Sequence, residues 1–128
     1  MSQNPDTDTV DLGPADAVRR YYRLVDEGDI GGLLRLFEPG AEYHRPGYPK
    51  LTGHSELERF YRDERVIASG RHSLAKLIRD GRDVAVHGVF EGVLRDGSRA
   101  SLRFADFFRV TERGTFSRRE TFFFTALV

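Results

Sequence analysis

The chain has 128 residues, 20 basic and 20 acidic side chains, 39% apolar residues and no cysteine. That profile fits one globular domain with a real core, and it excludes collagen-like, wholly disordered and membrane-spanning chains, since no apolar run approaches about 18 residues. Zero net charge argues against attachment to nucleic acid or to an anionic membrane surface. Without cysteine there is no disulfide, thiol nucleophile or thiolate metal site, which suits a cytoplasmic protein.

Residues 1–12 are polar and acidic, read as a disordered tail, and no signal peptide opens the chain. Residues 13–128 then form a single domain. Pro14 is a good first-turn residue, and in Ala15 to Glu27 the side chains Val18, Tyr21, Tyr22 and Val25 recur at helical spacing. Gly28 ends this helix. Asp29 caps a short second one bearing Ile30, Leu33, Leu34 and Phe37, which Gly31 and Gly32 weaken and Pro39-Gly40 closes. A strand from Ala41 to Arg45 leads into a loop with Pro46-Gly47 and Pro49. The third helix is predicted from Gly53 to Ala68, with Leu57, Phe60 and Tyr61 facing the core and Gly70 as its stop.

Beyond Gly70 the period changes to two. Strands are predicted over Arg71 to Arg79, Asp83 to Leu94, Ser98 to Val110 and Thr115 to Ala126. Asp80-Gly81-Arg82, Arg95-Asp96-Gly97 and Glu112-Arg113-Gly114 separate them as hairpin turns, giving an antiparallel meander. Helices first and long strands after predict an α+β fold, a cone-shaped curved antiparallel sheet wrapped around the N-terminal helices.

One carboxylate stands on the wrong face. Along the third strand of the meander, Ala100, Leu102, Phe104, Asp106, Phe108 and Val110 share the interior side, so Asp106 interrupts an apolar stripe. An unpaired carboxylate there would cost several kcal/mol. Asp106 is therefore either bridged to an interior arginine or a carboxyl with a raised pKa lining a pocket.

By the same alternation Phe116, Arg118, Glu120, Phe122 and Phe124 share one face of the last strand, with Glu120 and Arg118 beside Asp106. Two carboxylates in opposed environments suit a general acid and a general base, or else a structural Arg118–Glu120–Asp106 network. Phe107 and Phe123 point outward on this reading, so the outer sheet face is expected to form a homodimer interface. His44, His54, His72 and His87 lack metal-ligand spacing, and no metal is expected. His72, just past Gly70, falls at a pocket rim, either as a proton shuttle or as an ordinary rim histidine.

The run Ala17-Val18-Arg19-Arg20-Tyr21-Tyr22, then Glu27-Gly28-Asp29-Ile30, Leu36-Phe37, Ala41 to Pro46, Thr52-Gly53 and Phe104 to Val110 resembles the NTF2-like superfamily. Within it the pattern is most similar to SnoaL-like polyketide cyclases and ketosteroid isomerases. The isomerase resemblance implies an oxyanion hole of Tyr21 and a protonated Asp106. Where those enzymes carry an Asp base before the proline of the first strand, this chain has Arg45. Resemblance to limonene-epoxide hydrolases places Asp106, Glu120 and Tyr43 at their catalytic positions, with Phe104 standing where they have an arginine that only Arg103, Arg118 or Arg45 could replace. Resemblance to the superfamily's dehydratases gives His72 the position of their histidine.

Together these residues imply a small, cofactor-independent acid–base enzyme acting on a hydrophobic, oxygenated small molecule by cyclisation, isomerisation, dehydration or epoxide opening. Asp106, Tyr21, Glu120 and His72 are the catalytic candidates. Arg45, Tyr43, Arg118, Phe90, Phe104, Phe108 and Phe122 are the substrate-binding candidates. The alternative is a non-catalytic ligand-binding or dimerising module using the same pocket, in which the polar interior groups satisfy one another.

Overall fold

The computed structural model describes residues 13–124; the tail at 1–12 and the last four residues lie outside the described residues. Helix α1 (Pro14–Glu27) starts on its proline and stops at Gly28, whose φ of 78° lets its N–H reach the carbonyls of Leu24 and Val25. Its buried face carries Ala17, Val18, Tyr21, Tyr22, Leu24 and Val25. In α2 (Ile30–Leu34) the Asp29 carboxylate accepts from the Gly32 N–H at 2.8 Å. A Cβ on Gly32 would lie 2.5 Å from that carboxylate. The glycine that weakens the helix is thus what leaves room for its cap. Among the described residues no helix is long and apolar enough to cross a membrane.

Strand β1 (Phe37–His44) starts earlier than predicted, and Pro39-Gly40 lies within it, where pairing shifts between Phe37 and Glu42. A proline fits at such an irregularity because no ladder N–H is needed there. After β2 (Leu51–Thr52) comes α3 (Gly53–Arg59), continued by a π-helical turn, Phe60–Glu64. The helical stretch ends before Ala68 because β-branched Val66-Ile67 favours extension and Ile67 pairs with Leu94.

Strands β3 (Ile67–Asp80), β4 (Asp83–Leu94), β5 (Arg99–Val110) and β6 (Phe116–Phe124) form the expected antiparallel meander in a six-stranded sheet ordered β2-β1-β6-β5-β4-β3. β1 lies parallel to β6, so the sheet is mixed and not antiparallel throughout. No hairpin joins these two strands, and their relative direction is left to the packing of the intervening helices.

A one-residue irregularity decides what faces inward on β6. Val110 pairs with Phe116, but Arg109 pairs with Arg118, so Ser117 is an extra residue. A bulge of this kind reverses the alternation beyond it. Phe116 stays inside, and after it Arg119, Thr121 and Phe123 turn inward while Arg118, Glu120, Phe122 and Phe124 turn outward. The outward rings that pack side by side are therefore Phe107 and Phe122, edge to face at 5.8 Å, and not Phe107 and Phe123.

The core lies between α1 and the inner sheet face, where Tyr21, Phe37, Phe108 and Phe116 pack edge to face or tilted. Each such ring fully buried is worth about 1.5–3 kcal/mol.

Candidate functional site

Asp106 is fully buried and is the acceptor for three donors. Tyr22 Oη and Arg119 Nη2 donate to its Oδ2, the latter at 2.8 Å, and Thr121 Oγ1 donates to Oδ1. Of the two readings of this carboxylate, the structure has the bridge to an interior arginine. The arginine is Arg119, which the unbroken alternation had put outside. Burial works against its charge, but Asp106 and the surrounding tyrosines overcome that and hold its pKa well above the ordinary arginine value. Its guanidinium also stacks on Tyr21 and Tyr43, 4.6 and 4.5 Å from the ring centres.

Counting protons orders the rest. Thr121 spends its hydroxyl proton on Asp106, so Tyr43, 3.0 Å away, must donate to Thr121. Tyr43 in turn accepts from Arg45 Nη1 at 3.2 Å. A directed chain thus runs from Arg45 through Tyr43 and Thr121 to Asp106. On the other side, Arg119 Nη1 donates to both Tyr21 and Tyr61, whose oxygens are 2.5 Å apart. One hydroxyl proton bridges these two oxygens. The other has no further acceptor among the described residues and remains available as a donor. Burial, partly offset by Arg119, pushes the pKa of Tyr21 well above its ordinary value and that of Tyr61 up too, so both stay protonated.

His72 Nδ1 lies 2.6 Å from Asp26 Oδ1 while the His72 backbone N–H donates to Asp26 Oδ2 at 2.8 Å. The bond makes Nδ1 the protonated nitrogen of a neutral ring and leaves Nε2 as a base. Burial pushes the His72 pKa below its ordinary value despite the opposing pull of Asp26. The ring packs against Tyr22, Phe90 and Phe104.

These groups surround one cavity. Its floor holds Tyr21, Tyr43, Tyr61, Asp106, Arg119 and Thr121; Phe60, Ile67, Phe90 and Phe104 form its walls. Arg45, Arg65, His72, Leu102 and Phe123 are its partly exposed members and form the mouth. The enclosed space is about 20 Å³, room for about one water, which needs roughly 10–15 Å³. A surface groove of about 450 Å³ between the end of α1 and the start of β3 shares Tyr61, Arg65, Ile67 and Phe90 with it.

Of the sequence candidates, Asp106, Tyr21, His72, Tyr43, Arg45, Phe90 and Phe104 meet at this cavity. Phe108 lies behind them against Tyr21 and Arg119. Glu120, Arg118 and Phe122 do not join, because the Ser117 bulge carries them to the outer face. There Glu120 sits 3.6 Å from Arg118. Sequence reasoning missed Arg119, Thr121, Tyr22, Tyr61, Arg65 and Asp26. An interior Asp106 demanded an inward cation, and Arg118-Arg119 offered two of opposite parity; the demand was a signal for one of them. Nothing in the sequence marked Asp26 as the partner of His72.

The sequence profile of the SnoaL-like domain matches residues 18–119. Among curated proteins none matches the chain. Solved structures with the same fold include an NTF2-like protein of unknown function from Burkholderia pseudomallei, at 24% identity and TM-score 0.78 over 87% of this chain and 90% of that one. SalBIII, an epoxide hydrolase/cyclase-like enzyme with a role in pyran ring formation in the polyether salinomycin, aligns at 21% identity and TM-score 0.77, again over 87% of this chain and 90% of its own. TerC, co-crystallised with polyporic acid, aligns at 24% and 0.75 over 87% and 91%. With helices laid against an open, curved six-stranded sheet and the profile running through both layers, the chain belongs to the SnoaL-like domain family and has the NTF2-like fold.

Proposed function

We propose that this protein is a cofactor-independent acid–base enzyme for a hydrophobic, oxygenated small molecule of polyketide, steroid or terpenoid type. The reaction is a cyclisation, isomerisation, dehydration or epoxide opening. The observation that carries this reading is the pairing, around one cavity with aromatic walls, of a neutral histidine oriented by Asp26 with a tyrosine pair holding a spare hydroxyl proton. His72 Nε2 takes the proton. The Tyr21–Tyr61 pair, polarised by Arg119, donates to the oxygen on which charge develops. Asp106 holds Arg119 in place, a supporting role in place of the proton donor expected of it. SalBIII, with its role in pyran ring formation, and TerC, co-crystallised with polyporic acid, share this fold and lend support.

The small enclosed volume and the satisfied Asp106 favour a second reading, a binding module without turnover. A panel of hydrophobic ketones, phenols and epoxides separates the two. A ligand at about 100 times its Kd adds about 2.7 kcal/mol, a melting shift of several degrees. Shifts with conversion of the compound support the enzyme, shifts without conversion support the module, and a silent panel removes both.

The proposal includes a homodimer through the outer sheet face. Ile78, Phe107 and Phe122 are 55%, 50% and 48% exposed there, beside Arg109–Asp83 and Arg118–Glu120 pairs that balance in charge. Such a mixed face is able to complement a second copy of itself. Sedimentation should give a dimer for the native chain and a folded monomer for Phe107→Glu/Phe122→Glu; a native monomer would remove this part of the proposal.

A further inference from the structure

The charges around the cavity do not balance. Its lining holds three arginines, Arg45, Arg65 and Arg119, against one carboxylate, Asp106. Asp106 is committed to Arg119. Among the described residues neither Arg45 nor Arg65 has a carboxylate oxygen within 4.0 Å. His72, kept neutral by burial, adds no charge to either side, and its partner Asp26 faces the neighbouring groove, outside the cavity lining.

Arg45 is held ready without being neutralised. Its guanidinium stands 5.0–5.7 Å from the ring centres of Phe123, Phe60 and Tyr48, which stabilise a cation but leave its charge uncancelled. Nη1 donates to Tyr43, while Nε is buried and donates to nothing among the described residues. A buried N–H without a partner is unfavourable, and an incoming oxygen would relieve it. Arg65 rests 5.9 Å from the Tyr61 ring centre at the same mouth, its carbonyl anchored by Arg95.

We infer that the ligand of this cavity is an organic acid, ionised at neutral pH, whose anionic group is bound by Arg45 with Arg65 beside it while its apolar body lies against Phe60, Phe90, Phe104 and Phe123. This rests on the cavity being a small-molecule site. The planar guanidinium suits a carboxylate or the two oxygens of an ionised enol, and it does so through Nε and the outer Nη that Tyr43 leaves free. Because the enclosed space takes only about one water, the apolar body enters by displacing mouth side chains, and Arg45 and Phe123 are two of those partly open to solvent. The acid therefore meets its cation at the entrance and is oriented before its body reaches the Tyr21–Tyr61 pair.

The test compares benzoate, 2-naphthoate and decanoate with their neutral amides, by calorimetric titration into the native protein, Arg45→Gln and Arg45→Lys. The expected result is at least one acid binding about tenfold or more tighter than its amide, with an advantage that shrinks as salt is raised. Arg45→Gln should bring acid and amide within about threefold, and Arg45→Lys, which keeps the charge but loses the fork, should retain part of the preference. Should Arg45→Gln fail to fold, Arg65→Gln with Arg45→Lys gives the same comparison. Acids and amides binding equally, or a preference untouched by Arg45→Gln, would overturn the anion site and leave the cavity's small-molecule role standing. Binding by none of the six compounds would overturn the anion site, and the broader panel of ketones, phenols and epoxides would then decide the role of the cavity separately.

Discussion

Arg119→Met should destabilise the fold by about 3–5 kcal/mol, the cost of leaving a buried carboxylate without its cation. Asp106 is 0% exposed and Arg119 is 4% exposed, so bulk solvent does not reach the stranded partner, and the one water the cavity holds cannot replace a cation. The variant also strips Tyr21 and Tyr61 of the guanidinium both accept from. Native domains hold only about 5–15 kcal/mol in all, so this one side chain accounts for a large share of the stability. Asp106→Leu alone should cost a similar amount by stranding the cation. The double variant Asp106→Leu/Arg119→Met should recover most of the loss, because a buried ion pair replaced by apolar groups is often near neutral. Urea denaturation of the four proteins measures this directly. Costs that simply add, or an Arg119→Met variant within about 1 kcal/mol of native, would contradict the account of the pair.

The second large effect is expected at His72. On any compound the protein converts, His72→Asn should lower kcat by about 10²- to 10⁴-fold, the usual contribution of a general base. Burial lowers the His72 pKa, so the acid limb of the native kcat/KM profile should lie below the ordinary histidine value of about 6.5. Asp26 supplies both effects that pull the pKa upward. Asp26→Asn should therefore move the limb further down while reducing kcat less than loss of His72 itself.

The same shift has a consequence for stability that needs no substrate. Above about pH 6.5 the ring is neutral in both folded and unfolded chains, and its contribution is complete. Between that pH and the lower folded pKa, the unfolded chain takes up a proton that the folded chain refuses. Stability therefore falls as pH drops through this window. Denaturation midpoints across pH 7.5 to 5 should lose this slope in His72→Asn; a slope that survives unchanged would show that another group is responsible.

How much was legible in the sequence follows from the range over which each signal acts. The meander was legible because Gly81, Gly97 and Gly114 take positive φ at the turns, and a glycine that lets the chain reverse is a local requirement. The inward stripe of β5, with Asp106 in its midst, needed only the period of two. The face of β6 was not legible. One extra residue at Ser117 exchanges every side chain beyond it, replacing Arg118 and Glu120 with Arg119 and Thr121 in the interior. A bulge carries little signature in its own sequence, because it is stabilised by pairing with a strand that must first be in place. The parallel approach of β1 to β6 had no turn to announce it.

By itself, then, the sequence determined the order of elements, the α+β class and the presence of a carboxylate that had to find a partner inside. These follow from periodicities and turn residues that act over a few positions. Only the tertiary structure decided which arginine answers Asp106, that Asp26 orients His72 from the opposite layer across 46 residues of chain, and that Arg45 stands at the mouth with its charge uncancelled. Hydrogen bonds and ion pairs between distant residues are set by register and packing, and those exist only once the sheet has closed over the helices.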